Sequence, residues 1–169
     1  MPYEPWQPGM IMNQARMASI SPVWQDWTPV WTTSTGNNTP SFGNAAIIAR
    51  YAQTALTVHW RLDIIFGSTT AFGGGGASDN WRFSMPVSGG VISQICGHGE
   101  ASDASVASTM GRLAIRARVT TSTTFEFEVS SGRPDAVAVT SSGVIDAVSP
   151  WTWANSDALR AAGTYEVAA

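Results

Sequence analysis

The chain has 169 residues, enough for one domain with a sizeable core, and only 12% of them are charged, about half the usual globular share. A net charge of −3 and a pI near 5.2 argue against a phosphate backbone as partner, because neutralising phosphates needs grouped cations. The single Cys96 excludes an internal disulfide, and no Cys/His spacing of a zinc site is present.

In chain order, residues 1–22 stand apart as an N-terminal arm preceding a domain over residues 23–169. Pro2, Pro5 and Pro8 hold the start extended, since proline fixes φ and removes a donor. Met10 to Ile20 consists of good helix formers and stops before Ser21-Pro22, which predicts a short helix. Such a helix is marginal alone in water. Met10, Ile11, Met17 and Ile20, with Trp6, therefore need a surface, either the chain's own domain or, the favoured reading, a neighbouring subunit. Met-Pro-Tyr-Glu-Pro-Trp lacks the basic and apolar regions of a secretion signal, and no apolar run approaches a membrane span. Synthesis in a cytoplasm, with no membrane partner, is the expectation.

From Val23 on, β-signals dominate. Val23-Trp-Gln-Asp-Trp-Thr-Pro-Val-Trp31 reads as a broken strand, with Pro29 placing part of it at a sheet edge. A turn-rich loop over Thr32–Asn44 precedes strands at Ala45–Gln53 and Leu56–Phe66. In the second, Leu56, Val58, Trp60, Leu62, Ile64 and Phe66 share one parity, while Thr57, His59, Arg61 and Asp63 share the other. Only a period of two sorts residues this way, and a strand with one oily face needs a second apolar layer. Trp81, Phe83, Met85 and Val87 alternate with Arg82 and Ser84 in a further strand. Val91–Cys96 reads as a short apolar strand and Gly97–Thr109 as a loop.

A hairpin follows. Leu113, Ile115, Ala117 and Val119 alternate with arginines, and Phe125, Phe127 and Val129 alternate with glutamates. A turn centred on Ser122 sets Arg118 opposite Glu126 and Arg116 opposite Glu128 on the outer face, each opposed pair adding roughly 0.2–1 kcal/mol. The same register sets Val119 against Phe125 and Ala117 against Phe127 inside. Strands near Ala136–Thr140, Gly143–Val148 and Ala161–Val167 complete about eight to ten, spaced as in an all-β, antiparallel β-sandwich of jelly-roll-like kind.

No arrangement of side chains resolves into catalysis. Cys96, beside Ile95, reads as a small buried hydrophobe. Phe72 and the glycines at 73–76 lack the Gly-Lys-Ser/Thr and helix of a phosphate loop. His59 lies mid-strand and His98 in a Gly-His-Gly loop, with no spacing that sets a Ser or Cys beside either; two His with a carboxylate is a minor metal reading. Glu126 and Glu128 share a face, as a glycosidase pair would, but the opposed arginines account for them. Neither cofactor nor metal is expected. Eight Trp are many for this length, and aromatic anchors concentrate at subunit contacts. Trp24, Trp27, Trp31, Trp151 and Trp153 are read as core or subunit contacts, with stacking on sugar rings as the alternative.

Several phrases together are distinctive: Asp26-Trp-Thr-Pro-Val-Trp-Thr-Thr-Ser-Thr-Gly, Thr39-Pro-Ser-Phe-Gly-Asn, Ala49-Arg-Tyr, Phe66-Gly-Ser-Thr-Thr, Asn80-Trp-Arg-Phe-Ser-Met-Pro-Val and Ser149-Pro-Trp-Thr-Trp-Ala. Over roughly residues 24–167 the chain resembles a β-rich domain of virion proteins from tailed phages that infect actinobacteria, described as minor tail, fibre-tip or head-decoration proteins. The resemblance implies a non-enzymatic particle protein, commonly trimeric, and supplies no catalytic residue. It places the protein on the virion surface, with the major capsid protein or tail proteins as partners. A short arm with one compact domain favours a capsid decoration or cementing subunit. The alternative is a tail-fibre or baseplate protein binding host-surface carbohydrate, and a glycan depolymerase is more remote.

Overall fold

The computed structural model describes residues 9–11, 13–14, 22–74, 79–106, 111–130 and 143–168. Among them, nine strands form one antiparallel sheet: β1 (Gln25–Asp26), β2 (Trp31–Thr33), β3 (Ala46–Thr54), β4 (Thr57–Ile65), β5 (Trp81–Ser84), β6 (Ile95–Ser102), β7 (Arg112–Thr121), β8 (Thr124–Val129) and β9 (Ala158–Glu166). Their order across the sheet is β1-β3-β4-β9-β6-β7-β8-β5-β2. The sheet curls until its halves face one another. Trp60 of β4 meets Phe125 of β8 at 4.9 Å between ring centroids, and Trp31 of β2 stacks on Phe66, just past β4, at 5.6 Å. The fold is all-β and of the sandwich, jelly-roll-like kind that the alternation predicts.

The parity of β4 carries straight into burial. Val58, Trp60, Leu62 and Ile64 are buried, while His59, Arg61 and Ile65 face out. The β7–β8 hairpin takes the expected register, with Ala117 opposite Phe127, Val119 opposite Phe125, Arg116 opposite Glu128 and Arg118 opposite Glu126. A purely local pattern therefore set the pairing, because a one-residue slip would turn every phenylalanine outward.

Two expectations change. The segment broken at Pro29 is not one interrupted strand: β1 pairs with β3 at one edge of the sheet, and β2 pairs with β5 at the other. The β1 side pairs as far as Trp27, whose N–H donates to Ala49, and Val30 already bonds Ser84 on the other edge; the chain crosses at Thr28-Pro29, where proline supplies no donor. Gly97 does not open a loop either. The strand starts at Ile95 and runs to Ser102, whereas Val91 to Gln94 forms the turn before it.

The reason lies overhead. Trp60 donates its indole N–H to the Cys96 carbonyl at 2.9 Å, and the edge of its ring lies over Gly97, which faces Gly163 across β6 and β9. A Cβ on Gly97 would stand 2.6 Å from Trp60 Cζ2, and one on Gly163 would stand 2.0 Å from the Cys96 carbonyl oxygen. Glycine here makes room for an aromatic rather than marking a turn.

The strands end at two dissimilar poles. One, the hairpin end, carries the turns at Ala55-Leu56 and Ser122-Thr123 and the segment from Met85 to Gln94. The other, the loop end, gathers the long connections and is plugged by aromatics. There Trp81 meets Trp31 at 4.7 Å and Trp153 at 5.1 Å, and Phe66 meets Phe72 at 5.0 Å. The expected strand over Gly143–Val148 reduces to a single bridge at Val144, after which Ile145 donates to Phe127 and accepts from Trp81. Asp157 ties this end together, accepting from the N–H groups of Ala104, Ala154 and the Trp151 indole. The expected strand at 136–140, and Trp6, Met17 and Ile20 of the arm, lie outside the described residues. Of the short helix only Gln14 is assigned helical; Met10 is half-buried and Ile11 exposed.

Candidate functional site

The outer face of the sheet is a lattice of charges set by strand register. Arg50 bonds Asp26 across β1 and β3, and Arg61 bonds Asp63 two residues along β4. His98 lies between Ala162 of β9 and Arg116 of β7. Farther along, the expected one-to-one pairs are replaced by a shared one. Arg116 reaches Glu128 at 2.6 Å, and Arg118 turns diagonally past Glu126 to reach Glu128 at 2.5 Å. Both Glu128 oxygens accept from guanidinium groups, which leaves them no role in proton transfer. Glu126 makes no ion pair among the described residues, and burial pushes its carboxyl above the usual range against the pull of Arg82.

Burial alone would raise Glu128 as well, but the bonds from Arg118 and Arg116 outweigh it and hold the carboxyl below its ordinary value. A folded-state value below the unfolded one gives stability that is present above the unfolded pKa and lost as pH falls through the folded one. Glu128→Gln is accordingly expected to cost about 1 kcal/mol at neutral pH and to flatten the acid limb of the stability curve. Urea midpoints measured at roughly pH 7 and pH 3 check this; equal losses at both would show that the charge contributes nothing.

Sequence-selected nucleophile and imidazole positions do not converge. Cys96 Sγ contacts the Ala117 carbonyl at 3.6 Å, and burial pushes its thiol up to about 12, so it is protonated at neutral pH. His59 pairs with Thr164 and His98 with Ala162, so β9 runs between the two imidazoles. Among the described residues no three His, Cys, Asp or Glu side chains group as metal ligands.

The tryptophans divide. Trp31 and Trp153 belong to the aromatic plug and are buried, so neither presents a ring to a sugar or a neighbour. Trp27 and Trp151 are half-buried against the core, and the Trp151 indole is committed to Asp157. Trp24 alone of the five is exposed, at 46%. What the five share in sequence is only proximity to strand ends. Burial was decided by which of those ends the curled sheet closed over.

One surface was not recognised from the sequence. At the hairpin end Leu56, Val91 and Ile92 are exposed at 43%, 47% and 52%. They are brought together by backbone bonds from Val167 to Leu56 and from Gly90 to Glu166, with a bridge between Gly89 and Val167. The signal was present: two β-branched apolar residues directly after Ser88-Gly89-Gly90 and before Ser93, in a segment otherwise composed for a turn. The alternation reads them as part of a short strand over Val91–Cys96, whereas they form the turn that precedes β6. The chain also enters β1 from this end, through exposed Val23 and Trp24, and leaves β9 at it. A clustered apolar surface of this kind marks an interaction site more often than chance exposure does.

No helix among the described residues is long and apolar enough to cross a membrane. Searches against family models, curated proteins and solved structures return no match to this chain.

Proposed function

We propose that the protein is a non-enzymatic structural subunit displayed on a phage particle, seated through residues 1–22 and the hairpin end, most simply as a capsid decoration or cementing protein. The observation that carries this reading is the exposed apolar group formed by Leu56, Val91 and Ile92 at the end from which the chain enters β1; single apolar residues such as Ile48, Ile65 and Val148 are exposed elsewhere, and the opposite end is filled by buried aromatics. A domain held at one pole presents the rest of its surface outward. That surface is charge-paired and rich in Ser, Thr and Gly, as suits an exterior facing solvent. A homo-oligomer, a trimer by the resemblance, would bring three such ends together on one support.

A second reading, a tail-fibre or baseplate subunit that binds host-surface carbohydrate, is favoured by one feature, the exposed indole of Trp24. Stacking of a sugar on it would quench its fluorescence. Copy number per virion separates the two, being high for a decoration protein and low for a tail component.

Deleting residues 1–21 is expected to leave the domain folded, with an unchanged melting transition, and to abolish its attachment to particles that lack their own copy. Replacing Leu56, Val91 and Ile92 with Asp in the intact chain is expected to weaken attachment at least about tenfold with the fold intact. Full occupancy by the truncated protein, measured by quantitative gel densitometry of purified particles, would remove the arm from the attachment mechanism.

A further inference from the structure

Strand register carries one row of side chains straight across the outer face of the sheet. Arg50 of β3 lies opposite Arg61 of β4, Arg61 opposite Ala162 of β9, Ala162 opposite His98 of β6, and His98 opposite Arg116 of β7. With strands about 4.8 Å apart, these five positions span roughly 19 Å. The row ends on acids, Asp26 opposite Arg50 on β1 and Glu128 opposite Arg116 on β8, but no carboxylate stands inside it. Like charges directly opposite one another destabilise a sheet, and here each guanidinium is drawn aside by an acid. Arg50 Nε donates to Asp26 at 3.1 Å, Arg61 Nε to Asp63 at 2.9 Å and Arg116 Nε to Glu128 at 2.6 Å. The middle of the row is left open. Ala162, its smallest side chain, is exposed there, with exposed Arg61 and His98 on either side and exposed Arg160 and Thr164 before and after it on β9.

We infer that this row is a binding strip for an acidic polysaccharide, with a sugar carboxylate seated over Ala162 between Arg61 and His98. An anion there takes the guanidinium N–H groups that the ion pairs leave over and relieves the opposition of Arg50 and Arg61. The charge pattern selects the ligand class. A net charge of −3 disfavours a phosphate backbone over the molecule as a whole, whereas spaced sugar carboxylates need only local cations. No apolar side chain larger than alanine lies in the row, so it lacks the apolar centre of a protein–protein contact. The exposed indole of Trp24, two residues before Asp26 at the β1 end of the row, offers an aromatic face to a sugar ring. Each exposed charged contact contributes a factor of about 2–5, so a few of them give an affinity of roughly 10⁻³ M that salt weakens. The sugar class rests on the carbohydrate reading of Trp24, and the strip does not depend on where on a particle the protein sits.

The test is a chemical-shift titration of the full chain with tetragalacturonate at low ionic strength, set against its methyl ester. The ester keeps the same sugar rings and masks every acid. Tetragalacturonate is expected to bind saturably, to bind at least about fivefold more tightly than the ester, and to be released by about 0.5 M salt. Arg61→Gln and His98→Ala should each weaken it about twofold to fivefold, with the melting transition kept. Asp63→Asn, which frees Arg61 from its acid, should tighten it, and Arg112→Gln, opposite Ser102 and outside the row, should leave it unchanged. Equal binding of acid and ester would overturn the strip while leaving the Trp24 platform, and binding of neither would remove both. Tighter binding of an oligoglutamate or of an oligonucleotide of the same charge would overturn the glycan in favour of a protein or nucleic-acid partner.

Discussion

Trp60→Ala is expected to destabilise the protein by about 3–5 kcal/mol, the range for removing a large buried aromatic. Three losses coincide at this position. The ring contact with Phe125 that joins the two halves of the sheet disappears. The Cys96 carbonyl loses its buried donor. The space above Gly97 empties, and because that glycine has no side chain to move in, the void cannot collapse. Typical domains have only about 5–15 kcal/mol in all, so the variant should unfold at much lower urea and show a broadened transition. Trp60→Phe keeps part of the ring and removes the N–H, and the difference between the two variants isolates packing from the hydrogen bond. A Trp60→Ala loss below about 1 kcal/mol would mean that the indole does not roof the β6–β9 pair.

Gly163→Val should be at least as damaging, with a cost above about 3 kcal/mol and accumulation of insoluble protein on expression. A Cβ there meets the Cys96 carbonyl oxygen at 2.0 Å and Gly97 Cα at 2.3 Å. These are backbone atoms of a paired strand and cannot yield without breaking the ladder. Gly97→Ala meets two obstacles, the edge of Trp60 at 2.6 Å and the Ala162 carbonyl oxygen at 2.8 Å, and only the first is removed with the indole. Its cost should therefore shrink in a Trp60→Ala background, giving a coupling of about 1 kcal/mol or more in a double-mutant cycle. Gly74→Ala, where nothing lies within 4 Å of the added carbon, serves as the neutral control. Additive effects at Gly97 and Trp60 would show that the glycine is present for some reason other than the indole.

These two sites show where reading the chain succeeds and where it stops. Trp60 was placed in the core by parity alone, since a period of two assigns a face without knowledge of any partner. The β7–β8 register was equally legible, because apolar and charged sets both favour one alignment. Gly97 and Gly163 were not, as the reason for a glycine in mid-strand lies on a residue distant in sequence. The same holds for Arg118. Its cross-strand neighbour is Glu126, yet it bonds Glu128, a choice made by side-chain reach across a twisted sheet.

The aromatic and apolar surfaces divide along the same line. Trp31 and Trp153 differ from Trp24 in burial and not in local pattern, and Val91-Ile92 reads as well for a core strand as for an exposed turn.

Alternating hydrophobicity by itself determined that this chain is all-β, which faces of β4, β7 and β8 turn inward, and that its exterior is sparsely charged. Local side-chain chemistry suffices for those properties, because each strand must hide its oily side wherever the other strands lie. Only the tertiary structure decided that the sheet curls, that β1 and β2 take opposite edges, which tryptophans are covered and which apolar residues stay exposed. Those outcomes depend on contacts between distant segments, where curling a nine-stranded sheet fixes distances that no sequence window contains.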